Sequence, residues 1–447
     1  MVRIGLMANR IPRLGRRELM AGLGAVALGP AIPRIVTAEG RRSLTLRAKT
    51  DALALRPGQP DTPIWSLQDA KPGSDLRFRR GDTLDVTLAN ELPVPTILNW
   101  RGLDGSPAAE ALAVGLPLAP GARENLAIPL RHAGTLLCDL RLLGDGEARP
   151  SQALPLIVGE SEPVAVDRDE VFLVEDWRLR TDGAAVAPGT DPKDTQLIYT
   201  VNGRTTFDLT VRVNERLRIR FINACQRSVI ALKLEGHEVR VMALDGQPSE
   251  PFPARNSAIV LAPGGRADAF IDMTAPPGSA SPILLHDGRE AHSIARLIIS
   301  NEPPVRNAAL PTAPPLPTNG LPARIELKNA LRIDLPLGGA QPEWTTPAKF
   351  VATAPAAFGA KTGRAVVLAL NNNRAETATV FHLHGHHFRV LDRLDDGWKP
   401  FWLDTLAIDA GQTQRIAFSA EHAGRWLMES VATDWTAPRL VRWYEVG

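Results

Sequence analysis

Apolar and polar residues alternate in short runs along most of the chain. "SLTLRAKTDALAL" (43–55), "DLRFRRGDTLDVTLANELP" (75–93) and "ENLAIPL" (124–130) are each bounded by Gly, Pro or Asp clusters. That pattern predicts strands with one buried face. "LPLIVGE" (154–160) reads as a closing strand. The plan recurs through "DEVFLVEDW", "RTTFDLTVRVNERLRIRFINA", "VIALKLEGHEVRVMALDG", "SAIVLAPGGRADAFIDM" and "IARLIIS", which ends at Ser300.

The runs also echo one another. "RGDTLDVTLAN", "VNERLRIRFINA" and "GRAVVLALNNN" are alternating strands that end in Asn or Asn-Ala. "HAGTLLCDL" and "HAGRWLMES" form a second matched pair. Repetition of this kind indicates duplicated modules. The expected fold is all-β, with three consecutive Greek-key β-sandwich domains over 39–162, 163–300 and 324–447. Residues 301–323, "NEPPVRNAALPTAPPLPTNGLPA", read as a semi-extended proline-rich linker. The 38 prolines in 447 residues, against a usual ~5%, agree with an all-β chain.

Composition narrows the function. With 44% hydrophobic and 22% charged residues the chain is an ordinary globular protein, and a net charge of +2 gives no reason to expect nucleic acid as a partner. Residues 1–38 read as a twin-arginine signal peptide. Arg16–Arg17 precede an apolar stretch that reaches Ile32, and Val36-Thr37-Ala38 offers a small-residue cleavage site. The apolar stretch is shorter than the ~20 residues that span a bilayer. The expected location is therefore the periplasm, with membrane contact only during export. Cys138 and Cys225 lie in different modules and are expected as buried free thiols.

The chemistry concentrates in "TATVFHLHGHHFRVL" (377–391), which holds His382, His384, His386 and His387 out of nine histidines in the chain. Alternating histidines on a strand suggest a metal site. Neither a phosphate-binding loop nor a Gly-x-Ser-x-Gly elbow is present.

Here the chain resembles the multicopper oxidases, a family of three cupredoxin domains. "PTILNWRGLDG", "HAGTLLCDLRLLGD", "TATVFHLHGHHFRVL" and "GRWLMESVATDWTAPRL" stand where the family carries its four copper motifs, and "LEGHEVRVMALDGQP" and "LAPGGRADAFIDM" look like its second-domain signatures. The resemblance implies cupredoxin-like domains and assigns positions. Asn99, Arg101, Asp139, Arg141, His382, His384, Glu429 and Val431 fall on the trinuclear cluster. Thr379, Ser430 and Trp435 fall on the type 1 copper's two histidines and cysteine, and Leu440 on its axial position. Among the His and Cys ligand positions only His382 and His384 keep an imidazole. Blue copper needs a thiolate and two imidazoles, so no copper cofactor is expected, and the Trp435 indole is expected to fill the type 1 space.

At the cluster position the expectation is an ion-pair network, with Arg101 and Arg141 against Asp139 and Glu429. Two alternatives are a substituted metal site on His382, His384, Asp139 and Glu429, and side chains turned to solvent. His132, His237, His386, His387 and His422 read as structural.

Ligand loss with twin-arginine export resembles the SufI-type cell-division proteins. That implies a non-enzymatic binding or scaffold protein whose partners are periplasmic or envelope proteins. The alternative is a copper- or other-metal-dependent oxidoreductase working through His382 and His384. Copper sequestration ranks last, because the six methionines do not cluster.

Overall fold

The computed structural model describes residues 40–67, 76–337, 343–373, 375–392 and 397–447; the expected signal segment lies outside the described residues. The described strands form six sheets, two in each of three successive modules. In the first module Thr62–Ser66, Arg41–Leu53, Thr83–Asn90 and Arg123–Pro129 make one sheet, and Leu76–Arg79, Leu154–Gly159, Gly134–Asp139 and Asn99–Arg101 the other. Leu46, Leu88, Ile128 and Leu156 are buried in the core of this module.

The three echoed segments occupy the same place in each module. Thr83–Asn90 runs parallel to Arg41–Leu53, Arg216–Asn223 parallel to Arg168–Leu179, and Ala365–Asn371 parallel to Leu331–Pro336. Parallel neighbours require a crossover between sheets, which is the Greek-key feature of the repeat. The echoed asparagines explain themselves. Asn90 donates from Nδ2 to the carbonyls of Val94 (2.9 Å) and Leu118 (2.8 Å). Asn223 does the same for Ser228 (2.9 Å) and Leu261 (2.8 Å), and Asn372 for Thr377 (3.2 Å) and Ile408 (2.9 Å). Buried loop carbonyls that leave the sheet need a donor, and one side-chain amide serves two of them in every module.

Polar side chains knit the modules together. Gly134 opens the strand Gly134–Asp139 at φ +150°, where a Cβ would collide with the backbone of Gly246 in the second module. Arg266 joins all three. Its Nη1 and Nη2 donate to Asp404 of the third module at 2.9 and 2.7 Å, and its Nε to the carbonyl of Thr135 in the first at 3.1 Å. The proline-rich segment carries no strand, yet it is docked. Asn319 bonds Ala133 through both N–H and carbonyl, and Ala313 and Leu316 are buried beside Met242 and Phe270. Cys138 and Cys225 are free and buried.

Candidate functional site

Strand pairing decides which side chains meet. Thr379–Leu383 lies between Thr405–Ile408 and Gly424–Ala432, with His382 opposite Glu429 and Val380 opposite Val431. Paired residues share a face of the sheet. His382, Glu429 and Val431 therefore point together out of the third module, while Phe381, Ser430 and Leu440 share the face that carries its core. In the first module Asn99 stands opposite Asp139 on the sheet that also carries Arg101. The two outward faces enclose a cavity of about 20 Å³ lined by Arg101, Asp139, Arg141, His382, Glu429 and Arg439, among others. That is room for about one water molecule.

Glu429 is the hub. Its Oε1 accepts from Asn99 Nδ2 (3.3 Å), Arg101 Nη1 (3.2 Å) and His384 Nε2 (3.0 Å), and Oε2 is held by the Arg439 guanidinium. Burial pushes this carboxyl up, but Arg101, Arg439 and His384 outweigh it and hold it well below the usual range. His384 bridges two carboxylates, with Nδ1 3.0 Å from Glu110. Burial lowers its pKa, yet Glu110 and Glu429 raise it to about 9. It is thus an imidazolium at neutral pH, with a proton on each nitrogen and no lone pair free.

His382 is its opposite. Its Nδ1 lies 3.0 Å from both the Asp404 carbonyl and Thr405 Oγ1, and that hydroxyl already donates to Asp404 Oδ1 at 2.8 Å. Both neighbours therefore accept, so Nδ1 carries the proton and Nε2 the lone pair. Nε2 has no hydrogen-bond partner. Burial, then Arg101, keep the ring neutral by pushing its pKa well below 6.5.

The expected network is right for one arginine and wrong for the other. Arg101 pairs with Glu429, and Gly264 at φ +88° leaves room where a Cβ would strike its guanidinium. Arg141 does not meet Asp139 or Glu429 through its side chain. It reaches Glu175 of the second module at 2.8 Å, together with the carbonyls of Ser151 and Ala224. Asp139 Oδ1 instead caps the backbone N–H of Arg141 at 2.9 Å. The cause is position. Arg141 follows the end of the strand in a short 3₁₀ turn, so strand alternation no longer sets its direction. None of the named side chains turns to solvent: all are buried.

At the type 1 position Thr379 Oγ1 donates to Asn372 Oδ1 at 2.8 Å, which makes it part of the asparagine clamp. Trp435 is buried, but its hydrogen-bonding and stacking partners belong to the second module: Arg178 lies 4.7 Å over its ring and Gly189 N–H donates to its carbonyl at 2.8 Å. These contacts tie Trp435 to the second module.

Glu110, Glu175, Arg439 and Asp404 escaped the sequence reading. Arg439 lay inside the fourth motif, "TAPRL", but nothing in its spacing marks it as a partner for Glu429. Glu110 sits on a loop turn, and Glu175 comes from another module.

Three multicopper oxidase family models match the chain, over residues 50–137, 168–279 and 325–447. The chain belongs to the multicopper oxidase family. It is 25% identical over 472 residues to multicopper oxidase MmcO of Mycobacterium tuberculosis, an alignment covering 91% of this chain and 88% of that protein. Laccase-6 of rice is 26% identical over 245 residues, 49% of this chain and 41% of the laccase. A crystal structure of a multi-copper oxidase from Pseudomonas thermotolerans superposes with a TM-score of 0.76 at 25% identity, covering 91% of this chain and 99% of that one. The three cupredoxin-like domains are those of this fold. The family binds copper, and the described residues hold two groups whose ligand atoms lie close enough for a metal ion: His382, His384 and Glu429, and Asp104, His132 and His387.

Proposed function

We propose that this member of the family has given up the copper relay and works as a periplasmic binding or scaffold protein, through its surface. The observation that carries the reading is the saturation of Glu429. Two guanidiniums and an imidazolium already occupy its carboxylate, and cations fixed in a buried cavity oppose a further one. A trinuclear copper cluster needs several imidazole lone pairs, and here His382 Nε2 is the one the geometry offers. Thr379, Ser430 and Trp435 supply no thiolate–imidazole set for blue copper. The residues at these positions do not fit the family's copper.

The Arg16–Arg17 segment supports export and a periplasmic location. Partners among envelope or division proteins follow from the SufI-type resemblance.

A second reading rests on one atom. The unpartnered Nε2 of His382 faces the cavity with its tautomer fixed from behind by Asp404 and Thr405, which is how metal-binding histidines are oriented. Copper analysis of protein produced with copper supplied distinguishes the two. The scaffold reading expects far less than one copper per chain at this site. Stoichiometric copper that disappears in His382→Ala supports the oxidoreductase instead.

A further inference from the structure

We propose that Asp104, His132 and His387 form a site for one divalent transition cation of the zinc type, at the junction of the first and third modules. None of the three falls on a position that the family resemblance assigns to a copper ligand. His387 Nε2 donates to the Asp245 carbonyl at 2.9 Å, which aims Nδ1 at Asp104, 2.8 and 2.9 Å from its two oxygens. His132 Nδ1 lies 3.5 Å from Asp104 Oδ2. Ligands held ~2.0 Å from a tetrahedral zinc sit about 3.3 Å apart, so these separations need only small adjustments.

Tautomer and charge agree. Asn319 Nδ2 donates to Gln247 Oε1 at 3.0 Å, so the Gln247 Nε2 amide must be the group turned toward His132 Nδ1, 2.9 Å away. That His132 nitrogen therefore presents its lone pair, and burial, against Asp104, lowers the ring's pKa to about 4. Gln247 Nε2 also lies 3.5 Å from His387 Nδ1. An N–H donor thus stands between the two ring nitrogens, where a cation would make better use of both. Burial lowers the His387 pKa, but the surrounding Asp104 and Asp404 carboxylates and Asp245 carbonyl raise it to about 9. With that proton displaced and Arg266 paired to Asp404, the Asp104 carboxylate remains as the anionic ligand for a divalent ion. Binding replaces the Nδ1 proton of His387 and moves the Gln247 amide aside. The His132 side chain keeps 13% exposure, which gives the ion an entry.

The test is calorimetric titration of zinc chloride into the chelator-stripped full chain. One equivalent is expected, with a rise in melting temperature. Affinity should fall at least ~100-fold in His132→Ala and in Asp104→Asn, stay unchanged in His382→Ala, and tighten in Gln247→Ala, where the competing amide is gone. His132→Ala changes a partly exposed side chain, so a folded protein is expected to report the loss. Absence of a zinc equivalent in the wild type overturns the proposal. So does zinc retained by His132→Ala, or zinc lost on His382→Ala, which would place the ion at the other histidine group.

Discussion

The two histidine–carboxylate groups in this junction look alike as residue lists and differ in what surrounds them. Around Glu429 the neighbours are Arg101, Arg439 and the His384 imidazolium, so the carboxylate is neutralised from within the chain. Around His387 the neighbours are Asp104, Asp404 and the Asp245 carbonyl, with a glutamine amide between the two ring nitrogens. Both groups hold an imidazole whose pKa neighbouring carboxylates raise to about 9, His384 and His387. The first is closed by two guanidiniums on Glu429 itself, whereas in the second Arg266 lies on Asp404 and a movable amide stands at the rings. Histidine count therefore says little about metal binding. The sign of the fixed charge within a few ångströms says more, because buried charges interact with little screening.

The largest effect is expected beside the closed group, at the Arg141–Glu175 pair, whose arginine lines the same cavity. Arg141→Ala leaves Glu175 buried without its cation and should cost about 3 kcal/mol in denaturant unfolding. Burial already lifts the Glu175 pKa despite Arg141, so proton uptake bounds the loss. Arg101→Ala leaves Glu429 with Arg439 and His384 and should cost about 2 kcal/mol. Because the two arginines serve different carboxylates, the double substitution should equal the sum to within about 1 kcal/mol. Stronger coupling would restore a single shared network.

Next in size is the pH response of His384. Its folded pKa is raised from 6.5 to about 9. Its contribution is therefore complete below about pH 6.5 and is lost as pH rises through about 9, on the order of 3 kcal/mol at most. Unfolding free energies at pH 6, 7.5 and 9 should fall in that order, with His387, also raised to about 9, sharing the slope, and Glu110→Gln should remove the His384 part of it. A slope unchanged by Glu110→Gln would show that His384 is not the group responsible.

The smallest effect sharpens the contrast from the other side. Without metal, His132→Ala should cost only about 1 kcal/mol, the loss of one hydrogen bond to Gln247. A melting temperature as depressed as that of Arg141→Ala would make His132 a structural pin like the arginines, and the two groups would no longer differ in kind.

The repeated module was legible in the chain because its signals are local. Alternation over a few residues marks strands such as Thr83–Asn90, and the recurring terminal asparagine marks the same loop clamp three times. That His382 and His384 would approach Glu429 was legible too, since residues two apart on a strand share a face and all three lie in motifs with a familiar frame. Arg141 was misassigned at the point where the strand ends and alternation stops carrying information.

Glu175, Glu110 and Asp404 reach their partners across modules, and no spacing along the chain encodes such distances. The same holds for the protons on His382 and His384. Two residues apart on one strand, they are neutral and charged respectively, because one meets a carbonyl and a hydroxyl and the other meets two carboxylates. Residue order alone determined the sandwiches and which side chains could line the junction. Only their docking decided which charges face one another, because electrostatic energy depends on separation in space and on burial, and both are set when the three modules close together.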